Sequence, residues 1–245
     1  MYLRCEDLSY AYSSDSPPVF RGVNLLLNGP GFYALFGLSG VGKSTLARLL
    51  TNRYGGRDAG MDGAMSGKIQ TDLQTILYAH DSERLPGWVS IERHLYGVVP
   101  SKNHGLLKQL IREYGMKDVV QQRFSSLSMG QKNRVNLIRY LLQDWDMLIT
   151  DEVLANVDEP TRYTILSSIK TLFPNRIVLY ISHNAIEVVR FSKGIFVLPQ
   201  TFRVSAGLIQ IQGLDQLPDA IPDEQTVQTR LYGLLKAAGT GAEAA

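Results

Sequence analysis

The chain has little that would suit it to an oxidising compartment or the interior of a membrane. It holds one cysteine, Cys5, in 245 residues. A single thiol excludes an internal disulfide and a zinc site built on several cysteines. Apolar runs are short: the longest, such as Ile177–Ile181, are five residues. A membrane-crossing helix needs about 20, so no bilayer span is expected. The start of the chain carries Arg4, Glu6 and Asp7 and no apolar stretch, so it is not expected to act as a secretory signal. Neither sign of charge dominates, with Lys+Arg 25 against Asp+Glu 23 and a net charge of +2. That balance excludes a polybasic nucleic-acid arm and an acidic disordered chain. There is no internal repeat and no heptad run long enough for a coiled coil. What remains is ordinary globular usage, 44% hydrophobic and 20% charged. The expectation is a cytosolic protein of one large or two small domains.

Short apolar strands alternate with helical stretches. Val19–Leu27, Phe32–Phe36, Thr75–Ala79, Asp146–Thr150, Arg176–Ile181 and Gly194–Leu198 read as strands. Lys43–Asn52 reads as a helix, residues 88–143 as mainly helical, and the glycine-rich Gly55–Gly67 as a loop. Alternation of this kind argues for an α/β fold with a largely parallel sheet. The tail Gly239–Ala245 is expected to fray.

Gly37-Leu38-Ser39-Gly40-Val41-Gly42-Lys43-Ser44-Thr45 fits G-x-x-x-x-G-K-[ST]. Glycines at Gly37, Gly40 and Gly42 let the backbone curl so that its N–H groups meet phosphate oxygens. Lys43 can reach the β- and γ-phosphates, the Ser44 hydroxyl can ligate Mg²⁺, and the following helix adds its positive end. An apolar strand precedes the motif and a helix follows, which is the context it needs. Met147-Leu148-Ile149-Thr150-Asp151-Glu152 is a second apolar strand, ending in two carboxylates. In P-loop enzymes such an aspartate helps hold Mg²⁺. The next carboxylate is placed to orient or deprotonate an attacking water.

Between these motifs lies Leu127-Ser128-Met129-Gly130-Gln131. With this element the chain resembles the ATP-binding subunits of ABC transporters, whose signature is L-S-G-G-Q. Ser128 can cap the helix that begins near Met129, and Gly130 allows close backbone approach. The resemblance runs from about Leu3 to Ala237. It implies a P-loop NTPase core with a mainly parallel sheet, an antiparallel β region near the N-terminus and an inserted α-helical subdomain. The core would be residues 1–84 and 144–245, and the helical subdomain 85–143.

The resemblance also implies roles. Tyr12 would stack on adenine, with Tyr10 as its rival. Gly37, Ser39, Gly40, Gly42, Lys43, Ser44 and Thr45 would hold the nucleotide. Ser128, Gly130 and Gln131 would face ATP held by a second subunit, in a head-to-tail dimer. Asp158 would sit in the loop that communicates across that dimer. Glu152 would act on the attacking water, His183 would assist near the γ-phosphate, and Ser44 and Asp151 would hold Mg²⁺. His80 stands where the family has a glutamine that contacts Mg²⁺ or water. Met129 and Val153 also depart from the family pattern. Hydrolysis is still expected, and slow turnover is the effect these departures would have.

One P-loop and one signature imply one nucleotide-binding domain. The partners implied are transmembrane permease subunits, a second ATPase subunit, expected as a second copy, and a substrate-binding protein, but no nucleic acid. The site implied is the cytoplasmic face of the cell membrane. Leu85-Pro86-Gly87-Trp88-Val89-Ser90-Ile91 and Val157-Asp158-Glu159-Pro160-Thr161-Arg162 are similar to segments of the nitrate, sulfonate and taurine importer ATPases. The surface around Asp81–Leu95, with Leu85, Trp88 and Leu95, is a candidate groove for the permease; the alternative is that Trp88 packs inside. Two other functions stay open at this point: the ATPase of an exporter, or an ATP-gated regulatory subunit with little turnover.

Overall fold

A computed structural model describes residues 1–55, 63–80, 85, 87–199, 207–217, 220 and 222–239. In chain order the strands are β1 (Tyr2–Ala11), β2 (Phe20–Asn28), β3 (Gly31–Gly37), β4 (Ala64–Thr71), β5 (Ile76–His80), β6 (Met147–Asp151), β7 (Ile177–Ile181), β8 (Gly194–Leu198) and β9 (Ile209–Gln212). The α-helices are α1 (Lys43–Gly55), α2 (Ile91–Val98), α3 (His104–Glu113), α4 (Met129–Leu141), α5 (Glu159–Leu172), α6 (Ala185–Phe191) and α7 (Glu224–Ala238).

Two sheets result. β2-β1-β4 is antiparallel, and β5-β6-β7-β3-β8-β9 is parallel except for β9 at its edge. The α/β expectation holds, with the antiparallel region at the N-terminal end. Every residue of β6, β7 and β8 is buried, as a parallel sheet covered on both faces requires. Alternation along each strand feeds two cores. Met147 and Ile149 join β1, β2 and α1 on one face, and Leu148 joins α2 to α7 on the other. Buried residues of the middle helices, such as Leu107, Leu110 and Val135, share that second core with the sheet. Among the described residues no helix is long and apolar enough to cross a membrane.

The parallel register carries the functional consequence. His80 pairs with Asp151, Asp151 with Ile181, and Ile181 with Leu35, two residues before Gly37. The carboxyl ends of four adjacent strands therefore stop along one edge, where α/β sheets bind ligands.

Three expectations need correction. Gly55–Gly67 is not loop to its end, because Ala64–Gly67 belong to β4, paired to β1; residues 56–62 lie outside the described residues. The strand β1 has no counterpart among the strands read from the sequence. Its pattern is broken at Asp7, which sits at φ 50 where the β1–β2 and β1–β4 registers shift. Two of the three residues named for the groove around Asp81–Leu95 do not face outward. Leu85 and Leu95 are core residues, while Trp88 is 77% exposed rather than packed inside. Residues 81–84, like the end of the tail at 240–245, lie outside the described residues.

Candidate functional site

The loop between β3 and α1 surrounds a cavity of about 290 Å³ lined by Tyr12, Val19, Ser39, Gly40, Gly42, Lys43, Ser44, Thr45, Asp151 and Glu152. Three glycines of the loop have positive φ: Gly37 at 158, Gly40 at 75 and Gly42 at 110. Gly40 and Gly42 are in conformations that L side chains rarely adopt. A Cβ on Gly42 would also lie 2.9 Å from Val19 Cγ1.

Lys43 is buried, and its Nζ donates to the carbonyls of Gly37 at 2.8 Å and Leu38 at 2.9 Å. Burial lowers its pKa, and the charges of Glu152 and Asp151 oppose that shift. Tyr12 is 58% exposed, with its hydroxyl paired to Thr45 Oγ1 at 2.7 Å. Its ring stands edge-on to Tyr10 at 5.4 Å. Tyr10 itself is buried against Phe20. Tyr12 is thus the one of the two that offers a face to the cavity.

Asp151 and Glu152 leave the end of β6 in different environments. Asp151 is buried and its Oδ2 accepts from the Tyr78 hydroxyl at 2.6 Å. Glu152 has φ 55, a left-handed conformation that costs a non-glycine residue roughly 1–2 kcal/mol. Its Oε2 meets His183 Nδ1 at 2.8 Å. Burial raises the Glu152 pKa, while His183 and Lys43 pull it down. His80, at the end of β5, lies beside the Tyr78 ring at 5.5 Å.

A second group is built at the start of α4. Ser128 caps the helix, accepting from the Gln131 N–H at 3.3 Å, and Gln131 Oε1 accepts from the Ser128 N–H at 2.9 Å. This reciprocal pair ties up the Gln131 carbonyl oxygen within the chain. Gly130 is buried against the loop 155–158: a Cβ there would lie 2.2 Å from the Asn156 carbonyl oxygen. The close approach expected of this glycine is therefore to its own chain. Asp158 caps α5, accepting from the Thr161 N–H at 3.0 Å, and the Thr161 hydroxyl and N–H together hold its carboxyl below the usual range. None of Ser128, Gly130, Gln131 and Asp158 lines the cavity at the P-loop.

The cavity's donors suit a hard cation. The Ser44 hydroxyl and the Asp151 carboxylate are both oxygen ligands, as Mg²⁺ requires. Among the described residues no group of three or more His, Cys, Asp or Glu could hold a metal alone. A cation here would complete its shell from phosphate and water.

Sequence reasoning passed over Tyr78: period-2 alternation puts it on the face of His80 but does not connect it to Asp151. Tyr78 and His80 share the face of β5 that Ile149 and Asp151 share on the neighbouring β6. It also passed over the Tyr12–Thr45 bond, for which the sequence gives no signal.

The ABC transporter family model matches residues 20–155. The chain is 33% identical over 215 residues to an uncharacterized ABC transporter ATP-binding protein of Haemophilus influenzae, covering 84% of this chain and 87% of that one. It is 30% identical to the molybdenum import ATP-binding protein ModC of a Shewanella species, over 82% of this chain but only 58% of ModC. It is 27% identical to the microcin-J25 export ATP-binding/permease protein McjD of Escherichia coli, over 84% of this chain and 37% of McjD. Among solved structures, the ATP binding subunit of an ABC transporter matches with a TM-score of 0.71 at 19% identity, over 94% of this chain and 99% of that one.

Proposed function

The chain belongs to the ABC transporter family and is an ATPase of that family, and on that premise we propose that it drives a solute importer through permease subunits that it does not itself contain. One observation carries the catalytic part. Lys43, Ser44, Asp151 and Glu152 line a single cavity, and Glu152 is held there by His183.

The reaction proposed is transfer of the terminal phosphoryl group of ATP to water. Tyr12 stacks on adenine. The loop amides from Gly37 to Thr45 and the Lys43 ammonium stabilise charge on the phosphates. Glu152 takes a proton from the attacking water, and His183 keeps its carboxylate oriented. Ser44 and Asp151 hold Mg²⁺, which supplies neutralisation of phosphate charge when bound; His80 stands at the end of the adjacent strand. Ser128, Gly130, Gln131 and Asp158 belong to the cavity of a second subunit. The division adopted is a core of residues 1–84 and 144–245 with a helical subdomain of 85–143.

Support for import comes from the ModC likeness and from the two segments similar to anion-importer ATPases. The likeness to McjD keeps export as the competing outcome. The exposed Trp88 supports a docking surface for a permease on the helical side. Attachment is peripheral, on the cytoplasmic face, and a substrate-binding protein belongs to the complex.

The catalytic part is tested with Glu152→Gln. The expected result is loss of steady-state phosphate release and an ATP-dependent dimer by light scattering. Turnover close to that of the parent chain removes Glu152 from the role. Direction is tested by co-purification from solubilised membranes. Recovery of a multi-span protein with a substrate-binding protein supports import; recovery of a permease alone favours export.

A further inference from the structure

We infer that Tyr78 is a positioning residue for the Asp151 carboxylate, and through it for the divalent cation of the nucleotide. This rests on the reading of Asp151 as a metal-holding residue. Three observations carry it.

The first is the bond itself. Tyr78 O–H donates to Asp151 Oδ2 at 2.6 Å, within the range of the short, charge-assisted O–H···O⁻ type. The second is its setting. Tyr78, on β5, is half-buried, and Asp151 is only 7% exposed. Water has little access to replace the phenol. The bond therefore fixes which way the carboxylate turns. The third is that the donor is itself held. The His80 ring lies at 5.5 Å from the Tyr78 ring and 32° from parallel to it. Tyr78 also packs against the core that holds Leu46, Leu49 and Leu50 of α1. The ring is thus held by packing, and its oxygen is directed at Asp151.

Groups that hydrogen-bond a metal-ligating carboxylate set its orientation, and losing one typically costs about 10–100-fold in metal affinity or activity. The Tyr78→Phe substitution removes one oxygen and keeps the ring. Asp151 Oδ2 then loses its donor at a buried position, and the carboxylate is free to turn.

The experiment is a titration of the full chain with Mn²⁺ in the presence of a non-hydrolysable ATP analogue, followed by electron paramagnetic resonance. Asp151→Asn is the reference. For Tyr78→Phe, Mn²⁺ affinity is expected to fall about tenfold or more. Affinity for the analogue in EDTA is expected to stay near that of the parent, and the melting temperature to fall only by the few degrees that one lost buried hydrogen bond costs. The Mn²⁺ concentration for half-maximal phosphate release should rise by the same factor. If Asp151→Asn weakens Mn²⁺ and Tyr78→Phe does not, the phenol is structural and the inference is overturned. If Asp151→Asn also leaves Mn²⁺ binding unchanged, the metal-holding reading of Asp151 fails first.

Discussion

Replacing Gly130 by Ala sets two physical terms against each other in a way that can be measured without nucleotide. Gly130 is the second residue of α4. Within a helix interior Ala is favoured over Gly by about 1 kcal/mol, and less in the first turn. Against this, the new Cβ would lie 2.2 Å from the Asn156 carbonyl oxygen and 3.2 Å from its carbon. Contacts under 3.0 Å are essentially never seen, and the obstacle is backbone rather than the end of a flexible side chain. Either α4 or the loop 155–158 has to retreat by roughly an ångström. Overpacking of this kind costs about 1–3 kcal/mol, so the clash wins. The net loss is about 1–2 kcal/mol, which for a chain of 245 residues lowers Tm by roughly 2–8 °C. Differential scanning calorimetry of the nucleotide-free protein reads it directly. If Gly130 were required only to let phosphate approach, the nucleotide-free protein would melt unchanged or slightly higher. That result would refute the packing argument.

Arg162→Ala removes one half of a largely buried pair, with Glu187 buried and Arg162 part-buried: Arg162 Nε lies 2.6 Å from Glu187 Oε1, with side chains 20% and 11% exposed. Glu187 keeps only the Tyr180 hydroxyl, at 2.9 Å, and its helix-start contacts, so a loss of about 3 kcal/mol is expected by urea unfolding. A loss below about 1 kcal/mol would place the pair with ordinary surface ion pairs. Asn133 is fully buried on α4 with neither side-chain polar atom partnered, and Asn133→Leu should raise Tm, because an unsatisfied buried amide costs about 1–3 kcal/mol; a lower Tm would show that the amide has a partner in solution. Asp223 caps α7 and its pKa is held below the usual carboxylate range by the Thr226 N–H and hydroxyl. A lowered folded-state pKa stabilises above the unfolded carboxylate pKa, and that contribution is lost as pH falls through the lowered value. Asp223→Asn, an equally good cap, should therefore melt like the parent near pH 7 and lose less stability in acid; parallel acid limbs would contradict the assignment.

The strands that were legible in the sequence are those whose burial is uniform. Ile177–Ile181 and Gly194–Leu198 are apolar throughout, and they are buried throughout. β1 and β4 were harder for opposite reasons. β1 alternates, but Asp7 in a left-handed conformation breaks its phase. β4 is exposed at most positions and buries only Ile69, so no hydrophobic period marks it; pairing with β1 creates it. The P-loop, the acidic pair and the signature were legible because their chemistry fixes residue types at short spacings. The Tyr78–Asp151 bond, the Tyr12–Thr45 bond and the contact of Gly130 with Asn156 were not, because each joins residues 73, 33 or 26 positions apart. Leu85, ahead of α2, and Leu95, on it, misled because an apolar residue in a short segment reads alike whether it faces a partner or the core.

Three side chains of the cavity are held by partners within the chain. Tyr12 is anchored by Thr45, Glu152 by His183, and Asp151 by Tyr78. The two carboxylates face Lys43, whose burial they offset. Lys43 alone has its donors pointed at groups that a phosphate would have to displace, the carbonyls of Gly37 and Leu38. A phosphate is the better acceptor, because it is charged. Exchanging two neutral carbonyls for an anion also relieves a buried ammonium of part of its desolvation cost. Binding then requires little rearrangement of the acidic side of the cavity. The change it demands is local, a swing of one lysine within its own loop. The elements that carry Ser128 and Asp158 keep their caps through that exchange, because those bonds close within the chain. The cavity at the P-loop and the starts of α4 and α5 are therefore each tied by bonds that close within the chain.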